Sequence, residues 1–194
     1  ADASQIPTIL LSRLARQQVA VALTGDGGDE LFNGYDRYPK TDATWKRLQK
    51  VPLFLRKLAN RLLPPSPLQE GLGALSIDSF YSFTNRQWKG FSNLVYGIED
   101  EEITVNIPSV LKSAHERMMY ADTSVYLPDD VLVKVDRAAM SCSLEMRIPL
   151  LDHRIVEYAW SLPDSIKYHN RIGKWPLKQI LFKYVPEPLF DRPK

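Results

Sequence analysis

Val19-Ala20-Val21-Ala22-Leu23-Thr24-Gly25-Asp26-Gly27-Gly28-Asp29-Glu30-Leu31-Phe32 joins a short valine-rich apolar run to a loop of three glycines and three carboxylates. The apolar run predicts a buried strand over residues 19–25. The aromatic segment after the loop suits a helix. Strand, glycine-rich loop and helix together build a ligand site at the carboxyl end of a strand in an α/β sheet. Glycines let the backbone approach a phosphate or nucleotide closely. The carboxylates suit Mg²⁺, which takes oxygen ligands and is commonly held by one or two carboxylates plus substrate phosphates. The plainer alternative is a tight turn made by the Asp-Gly and Gly-Asp pairs.

The chain has 194 residues, the length of one domain or a large part of one. Apolar residues make up 44% of it, enough for a core. Lys plus Arg number 25 against 23 Asp plus Glu, a net charge of +2. That near-balance argues against a dedicated nucleic-acid binder, which carries a basic excess. Cys142 is the single cysteine, so no internal disulfide is possible. No apolar run reaches a membrane span and no basic-then-apolar leader opens the chain. These features predict a soluble cytoplasmic protein with neither nucleic-acid nor membrane partners.

Along the chain, residues 6–18 predict an amphipathic helix with Leu10, Leu11 and Leu14 on its apolar face. Glu30 to Tyr38 reads as a short helix or turn. From Trp45 to Leu63 the helical pattern is broken at Pro52, with six basic residues and no acidic ones. Such a stretch reads as a solvated helix face. Pro64 to Gly73 is loop-like. Helices are expected over 76–90 and 109–126. Glu99-Asp100-Glu101-Glu102 reads as an acidic loop leading into a helix. Only the first strand is expected, with the remainder mostly helical.

Asp129 to Ser143 repays a helical count. Val131, Val135, Ala138, Ala139 and Cys142 share one face, and Asp130, Lys134, Arg137 and Ser141 another. Pro128 and the aspartates suit the start of this helix. Pro149 disfavours α geometry at Ile148, so the helix is expected to end near Glu145 and Arg147. Glu145 in an ion pair with Arg147 or Arg137 is one reading of its role. His115, His153 and His169 lack metal-ligand spacing, and His153 reads as a helix-start residue.

Three blocks carry a family resemblance. Thr24-Gly-Asp-Gly-Gly-Asp-Glu-Leu-Phe-Asn-Gly-Tyr35 resembles the acidic glycine loop in the synthetase domain of glutamine-dependent asparagine synthetases. Tyr126-Leu-Pro-Asp-Asp-Val-Leu-Val-Lys-Val-Asp-Arg-Ala-Ala-Met140, followed by Ser143-Leu-Glu-Met-Arg-Ile-Pro-Leu-Leu-Asp152, is similar to a second motif of that domain. Gly173-Lys174 to Leu181 and Asp191-Arg-Pro-Lys194 resemble its carboxyl-terminal part. The similarity runs in order along nearly the whole chain.

The resemblance implies an adenine-nucleotide α-hydrolase-like (PP-loop) α/β fold, here mostly helical with few strands. It implies ATP and Mg²⁺ as cofactors, with aspartate, and ammonia from a glutaminase domain, as the other partners. Leu23, Thr24, Gly25 and Gly27 would lie against the nucleotide. Asp29 would be a Mg²⁺ ligand. Asp26 falls at a position tied to intermediate formation and attack by ammonia. Glu145 would lie at the rim of the cleft near substrate. Lys194 would stabilise departing pyrophosphate. Asp136 and Arg137 would support the site.

Residues 1–194 contain no Ser-Gly-Gly-x-Asp-Ser phosphate loop and no glutaminase domain. The expectation is therefore the carboxyl-terminal part of a synthetase domain, inactive by itself. A lone strand would leave backbone groups unpaired, which raises self-association into a homo-oligomer. Two further readings stay open. One is amidation or ring closure on another carboxylate by a paralogue. The other is a non-catalytic helical interaction module.

Overall fold

The computed structural model describes residues 3–64, 66, 69, 71–85 and 105–190. Two compact units emerge, one made of Ala1–Tyr35 with Met119–Lys194, the other of Asp36–Met118.

The first unit begins with α1 (Gln5–Arg16) and β1 (Val21–Leu23). Then comes α2 (Gly28–Leu31), and α6 (Ala114–Ala121) begins in the second unit and enters the first at Met119. A π-helical segment (Asp122–Leu132) runs without a break into α7 (Val133–Met140). Next are β2 (Glu145–Arg147), a 3-10 turn (Pro149–Leu151), α8 (His153–Ser161), α9 (Asp164–Lys167) and α10 (Trp175–Leu181).

β1 and β2 pair in parallel, with Val21 opposite Glu145, Ala22 opposite Met146 and Leu23 opposite Arg147. The ladder continues past the strands: Glu145 N donates to Ala20 O at 3.0 Å and Thr24 N to Arg147 O at 2.9 Å. This corrects two expectations. The apolar run forms a strand of three residues rather than 19–25, and it is not buried: Leu23 is 73% exposed. With one strand neighbour and small flanking cover, a valine-rich run stays open to solvent. The second strand replaces the expected helix end at Glu145.

α7 stops earlier for a local reason. Ser143 sits in the left-handed region (φ 58°), and Leu144 N reaches back to Ala139 O at 3.1 Å. This six-to-one closure caps the helix. Cys142 therefore lies in the turn after the helix, not in mid-helix as the apolar count implied. Val131, Val135, Ala138 and Ala139 of that count are buried. Pro128 does not start a helix either. It lies inside the π-helical segment, where wider turns change which N–H groups must be bonded and so accommodate a residue that has none.

α1 packs on α7 through small residues. Ser12 is fully buried, with its hydroxyl donating to Thr8 O at 2.8 Å, and Ala138 and Ala139 are fully buried. Small side chains let the two backbones approach. Leu10, Leu11 and Leu14 face solvent, the reverse of the expected apolar packing. A second cluster gathers Leu31, Phe32 and Ala159 with Leu151, Ile155, Trp160 and Leu177. It joins α2, α8 and α10. Lys167 is almost fully buried, with its ammonium 4.9 Å from the Trp160 ring centroid. Asp152 caps α8 by accepting from Arg154 N at 3.0 Å, so His153 opens that helix as expected. The Asp152 carboxyl lies well below the ordinary range because the Arg154 side chain and backbone both hydrogen-bond its charged form.

The second unit contains α3 (Arg37–Leu48), α4 (Leu53–Leu62) and α5 (Ile77–Asn85). The break between α3 and α4 falls at Pro52, whose fixed φ suits the residue before a helix. Trp45, Ala74 and Phe80 form its core, with the Trp45 and Phe80 rings 5.4 Å apart. The Arg56 guanidinium stacks over Trp45 at 5.8 Å and donates to Ala74 O at 3.2 Å. Arg117 holds Asp78 through two side-chain hydrogen bonds, which raise the guanidinium's already high pKa. The helix expected over 109–126 begins only at Ala114, after a turn. The acidic stretch 99–102, residues 86–90 and residues 65, 67, 68 and 70 of the expected loop lie outside the described residues.

Candidate functional site

The acidic glycine loop leaves β1 at its carboxyl end. In a parallel sheet that is the end where ligands bind. Thr24 Oγ1 donates to Asp26 Oδ2 at 2.6 Å, which folds the loop back on itself. Gly28 N donates to Gly25 O at 3.3 Å, closing the turn. Gly27 has φ 80° and caps α2, and a Cβ there would lie 2.5 Å from Leu151 Cδ2. Both facts favour glycine there. At Gly25 an added Cβ would meet nothing within 4 Å, so the loop faces open space on that side.

Asp29 stands in the first turn of α2, and its Oδ1 lies 2.9 Å from Lys174 Nζ. The contact is held by backbone. Lys174 N donates to Phe32 O at 2.9 Å, and a Cβ on Gly173 would collide with Asn33 O. Gly34 approaches Asp29 as closely: its N donates to Asp29 O at 2.9 Å, and a Cβ there would strike the Asp29 carboxylate. Lys174 and Asn33 both adopt left-handed backbone, at φ 55° and 56°.

Glu30, the next residue, points the other way. Its carboxyl is buried and accepts from the Tyr35 hydroxyl at 2.6 Å. Burial pushes the Glu30 carboxyl above its ordinary pKa, with Asp29 and Asp122 adding repulsion against the Tyr35 hydrogen bond. Burial also raises the Tyr35 hydroxyl, and its hydrogen bond to Glu30 raises it further. Tyr126 meets the Tyr35 ring edge-on at 6.1 Å. This pair anchors α2 from behind.

The structure thus brings Leu23, Thr24, Gly25, Asp26, Gly27 and Asp29 onto one strand-loop-helix turn. Glu145 sits on the neighbouring strand, opposite Val21 and away from the carboxyl end, with its Oε1 2.7 Å from Arg147 Nε. Arg147, opposite Leu23, is the β2 residue at the loop's end of the sheet. Lys194 lies outside the described residues. Sequence reasoning gave no role to Lys174, Glu30 or Tyr35; Arg147 entered only as a candidate ion-pair partner of Glu145, a pair the structure shows. The available signal for Lys174 was Gly173 before it, a glycine-lysine pair at a turn.

The donor chemistry fits a Mg²⁺-type ion in one respect. Asp29 offers a half-exposed carboxylate beside a glycine loop, and phosphates and water commonly complete such a site. Among the described residues no three acidic, histidine or cysteine side chains gather to cage a metal by themselves. Nor is any described helix long and apolar enough to cross a membrane.

Asparagine synthetase (glutamine-hydrolyzing) 1 of Bacillus subtilis strain 168 is 29% identical over 208 residues, covering 100% of this chain and 33% of the relative. A putative asparagine synthetase (glutamine-hydrolyzing) of Mycobacterium tuberculosis strain H37Rv is 30% identical over 210 residues, covering 100% of this chain and 32% of the relative. Amidase chyE of Penicillium rubens is 23% identical over 212 residues, covering 90% of this chain and 31% of the relative. The chain spans about a third of the length of the curated relatives it matches. No solved structure matches. The family model for asparagine synthase matches residues 1–194, end to end, and the chain belongs to that family.

Proposed function

We propose that the protein carrying this chain converts aspartate to asparagine by ATP-dependent amidation through an acyl-adenylate, with ammonia drawn from a glutaminase domain. The observation that carries this reading is the Thr24–Asp29 loop at the carboxyl end of the parallel β1–β2 pair. Membership of the asparagine synthase family supports it.

The chemistry has two displacements. A side-chain carboxylate oxygen of aspartate attacks the α-phosphorus of ATP, and the bond to pyrophosphate breaks. Ammonia then attacks the acyl carbon, the acyl-oxygen bond breaks, AMP leaves and the nitrogen sheds a proton. In this reading Leu23, Thr24, Gly25 and Gly27 present backbone to the nucleotide. The open side of Gly25 leaves room for that approach. Asp26, oriented by Thr24, faces the reacting groups and can take the proton lost by the attacking nitrogen. Asp29 contributes one carboxylate to a divalent cation, which would neutralise phosphate charge when bound. Glu145, expected at the rim of the cleft, lies away from the carboxyl end of the sheet in an ion pair with Arg147, so this reading gives it no step. Lys194 clamps pyrophosphate as it departs.

Aspartate carrying ¹⁸O in its side-chain carboxylate tests the route in the full-length protein. One label should appear in AMP. Label appearing in inorganic phosphate instead would mean attack at the γ-phosphorus and overturn the acyl-adenylate. Turnover with another carboxylate but not with aspartate would reassign the substrate.

A further inference from the structure

Lys174 is a non-glycine residue held in left-handed backbone (φ 55°) at the start of α10, a conformation that costs on the order of 1 kcal/mol. Backbone strain of this kind persists where the surroundings over-determine it. Here the surroundings are the turn around Asn33. Gly173 lies against Asn33 O, and Lys174 N bonds Phe32 O. Gly34 on that turn bonds Asp29 O. One rigid contact between two turns therefore fixes both ends of the 2.9 Å ion pair between Lys174 Nζ and Asp29 Oδ1. The pair is only partly buried, with side-chain exposures of 35% and 31%. Solvent and a metal ion can therefore reach it.

We propose that Lys174 is a positioning residue that occupies, before the metal arrives, the place a divalent cation takes on Asp29. Two cations then compete for one carboxylate. While Lys174 holds it, Asp29 keeps its place beside the glycine loop without an uncompensated negative charge. When a divalent ion arrives, Asp29 changes partners and the Lys174 ammonium is freed. Its tether to the Asn33 turn keeps that ammonium near the loop, where it can meet phosphate oxygens. The device sets a threshold, because a metal must outbid an internal counter-ion to bind. The inference rests on the reading of Asp29 as a metal ligand.

Mn²⁺ titration of the full-length protein, followed by the electron paramagnetic resonance of the free ion, tests it. Lys174→Met keeps the stem and the same backbone strain while removing the charge. Lys174→Gln, run in parallel, serves if the Met variant fails to fold. Either neutral variant should bind Mn²⁺ about threefold more tightly than the parent, the scale expected from losing a half-exposed ion pair. Lys174→Arg should bind as the parent does. Asp29→Asn should lose the site, and adding Lys174→Met to it should change nothing further. A purely structural role for Lys174 would weaken metal binding, not tighten it. Unchanged or weaker binding in the neutral variants, with Asp29→Asn still losing the site, would overturn the competition while leaving Asp29 a ligand. If Asp29→Asn bound Mn²⁺ like the parent, both readings would fall. Tightening that survives in the Asp29→Asn background would place the effect elsewhere and refute the proposal.

Discussion

The Asn33 side-chain amide donates to the Asp164 carboxylate at 2.7 Å, joining the turn after α2 to the first turn of α9. Asn33 is buried, and its φ of 56° is a conformation asparagine tolerates better than most residues. Asn33→Ala removes a charge-assisted hydrogen bond and puts a Cβ-only side chain in left-handed backbone. The expected loss of stability is about 2–3 kcal/mol. Asn33→Gly should lose less, because it relieves the backbone part. Urea unfolding of the three proteins checks this. Equal losses for Ala and Gly would assign the whole cost to the hydrogen bond.

Glu30 gives the stability a pH dependence with a definite sign. Its folded pKa lies above the ordinary value of 4.5, chiefly because burial penalises the charged form. The fold therefore favours the protonated acid. That contribution is fully present below about pH 4.5 and is lost as pH rises through the higher folded value. Glu30→Gln removes the titration and should flatten the stability profile across that window. Glu30→Ala should cost about 1–3 kcal/mol at low pH, because it removes the hydrogen bond from the Tyr35 hydroxyl and vacates a buried site. Unfolding free energies measured from pH 4 to 8 would expose a wrong assignment if the slope persisted in Glu30→Gln.

Two glycines of one loop should separate stability from binding. Gly27→Ala meets both a positive φ and Leu151 Cδ2 at 2.5 Å, so it should lose about 1–2 kcal/mol. Gly25→Ala meets nothing within 4 Å and should melt close to the parent. If Gly25 faces the nucleotide, its alanine variant should nonetheless bind ATP more weakly. Thermal melts alongside ATP titrations read both quantities. A Gly25→Ala protein with full ATP affinity would move the nucleotide away from that side.

Asp29→Asn should cut pyrophosphate exchange roughly a hundredfold, since an amide neither neutralises phosphate charge nor holds Mg²⁺ as well. Asp36, exposed beyond the loop, is the control, and Asp36→Asn should exchange nearly as the parent does. Near-parental exchange in Asp29→Asn at ordinary Mg²⁺ would remove Asp29 from the site.

Lys194→Ala should lower kcat more than it raises KM for ATP, because a clamp on departing pyrophosphate is strongest in the transition state. Lys194→Arg should restore little, since a planar fork does not reproduce a compact point charge. Steady-state kinetics with ATP varied would show it. An intact kcat in Lys194→Ala would assign the clamp to another cation.

The loop was legible in the sequence because its residue types have few other uses together. Glycine at 25, 27 and 28 beside carboxylates at 26, 29 and 30 both turns the chain and offers oxygen ligands. The break at Pro52 was equally plain. β2 was not, for two reasons. Glu145-Met146-Arg147 is too short to show alternation, and the apolar count of the preceding helix carries smoothly into Cys142. What stops that helix is Ser143 in left-handed backbone, a role more often filled by glycine. The leucines of α1 misled for a different reason. Periodicity identifies a face, but not which face this chain covers, and small residues made the contact with α7. The Asp29–Lys174 pair joins residues far apart in sequence, and no local pattern announces it.

The parallel pairing of Val21 with Glu145 also constrains how the molecule is assembled. The two strands are separated by more than a hundred residues, including the whole Asp36–Met118 unit. Closing so long a loop costs on the order of 4 kcal/mol of chain entropy, and three residue pairs of ladder return little of it. Condensing the intervening unit first shortens the effective loop. On the ribosome, β1 emerges early and must wait for Arg147 before it has a partner. During that interval a bare valine-rich edge is exposed to other nascent chains. The carboxyl end that builds the ligand loop is thus completed late, so destabilising the Asp36–Met118 unit should slow formation of the site without touching any residue in it.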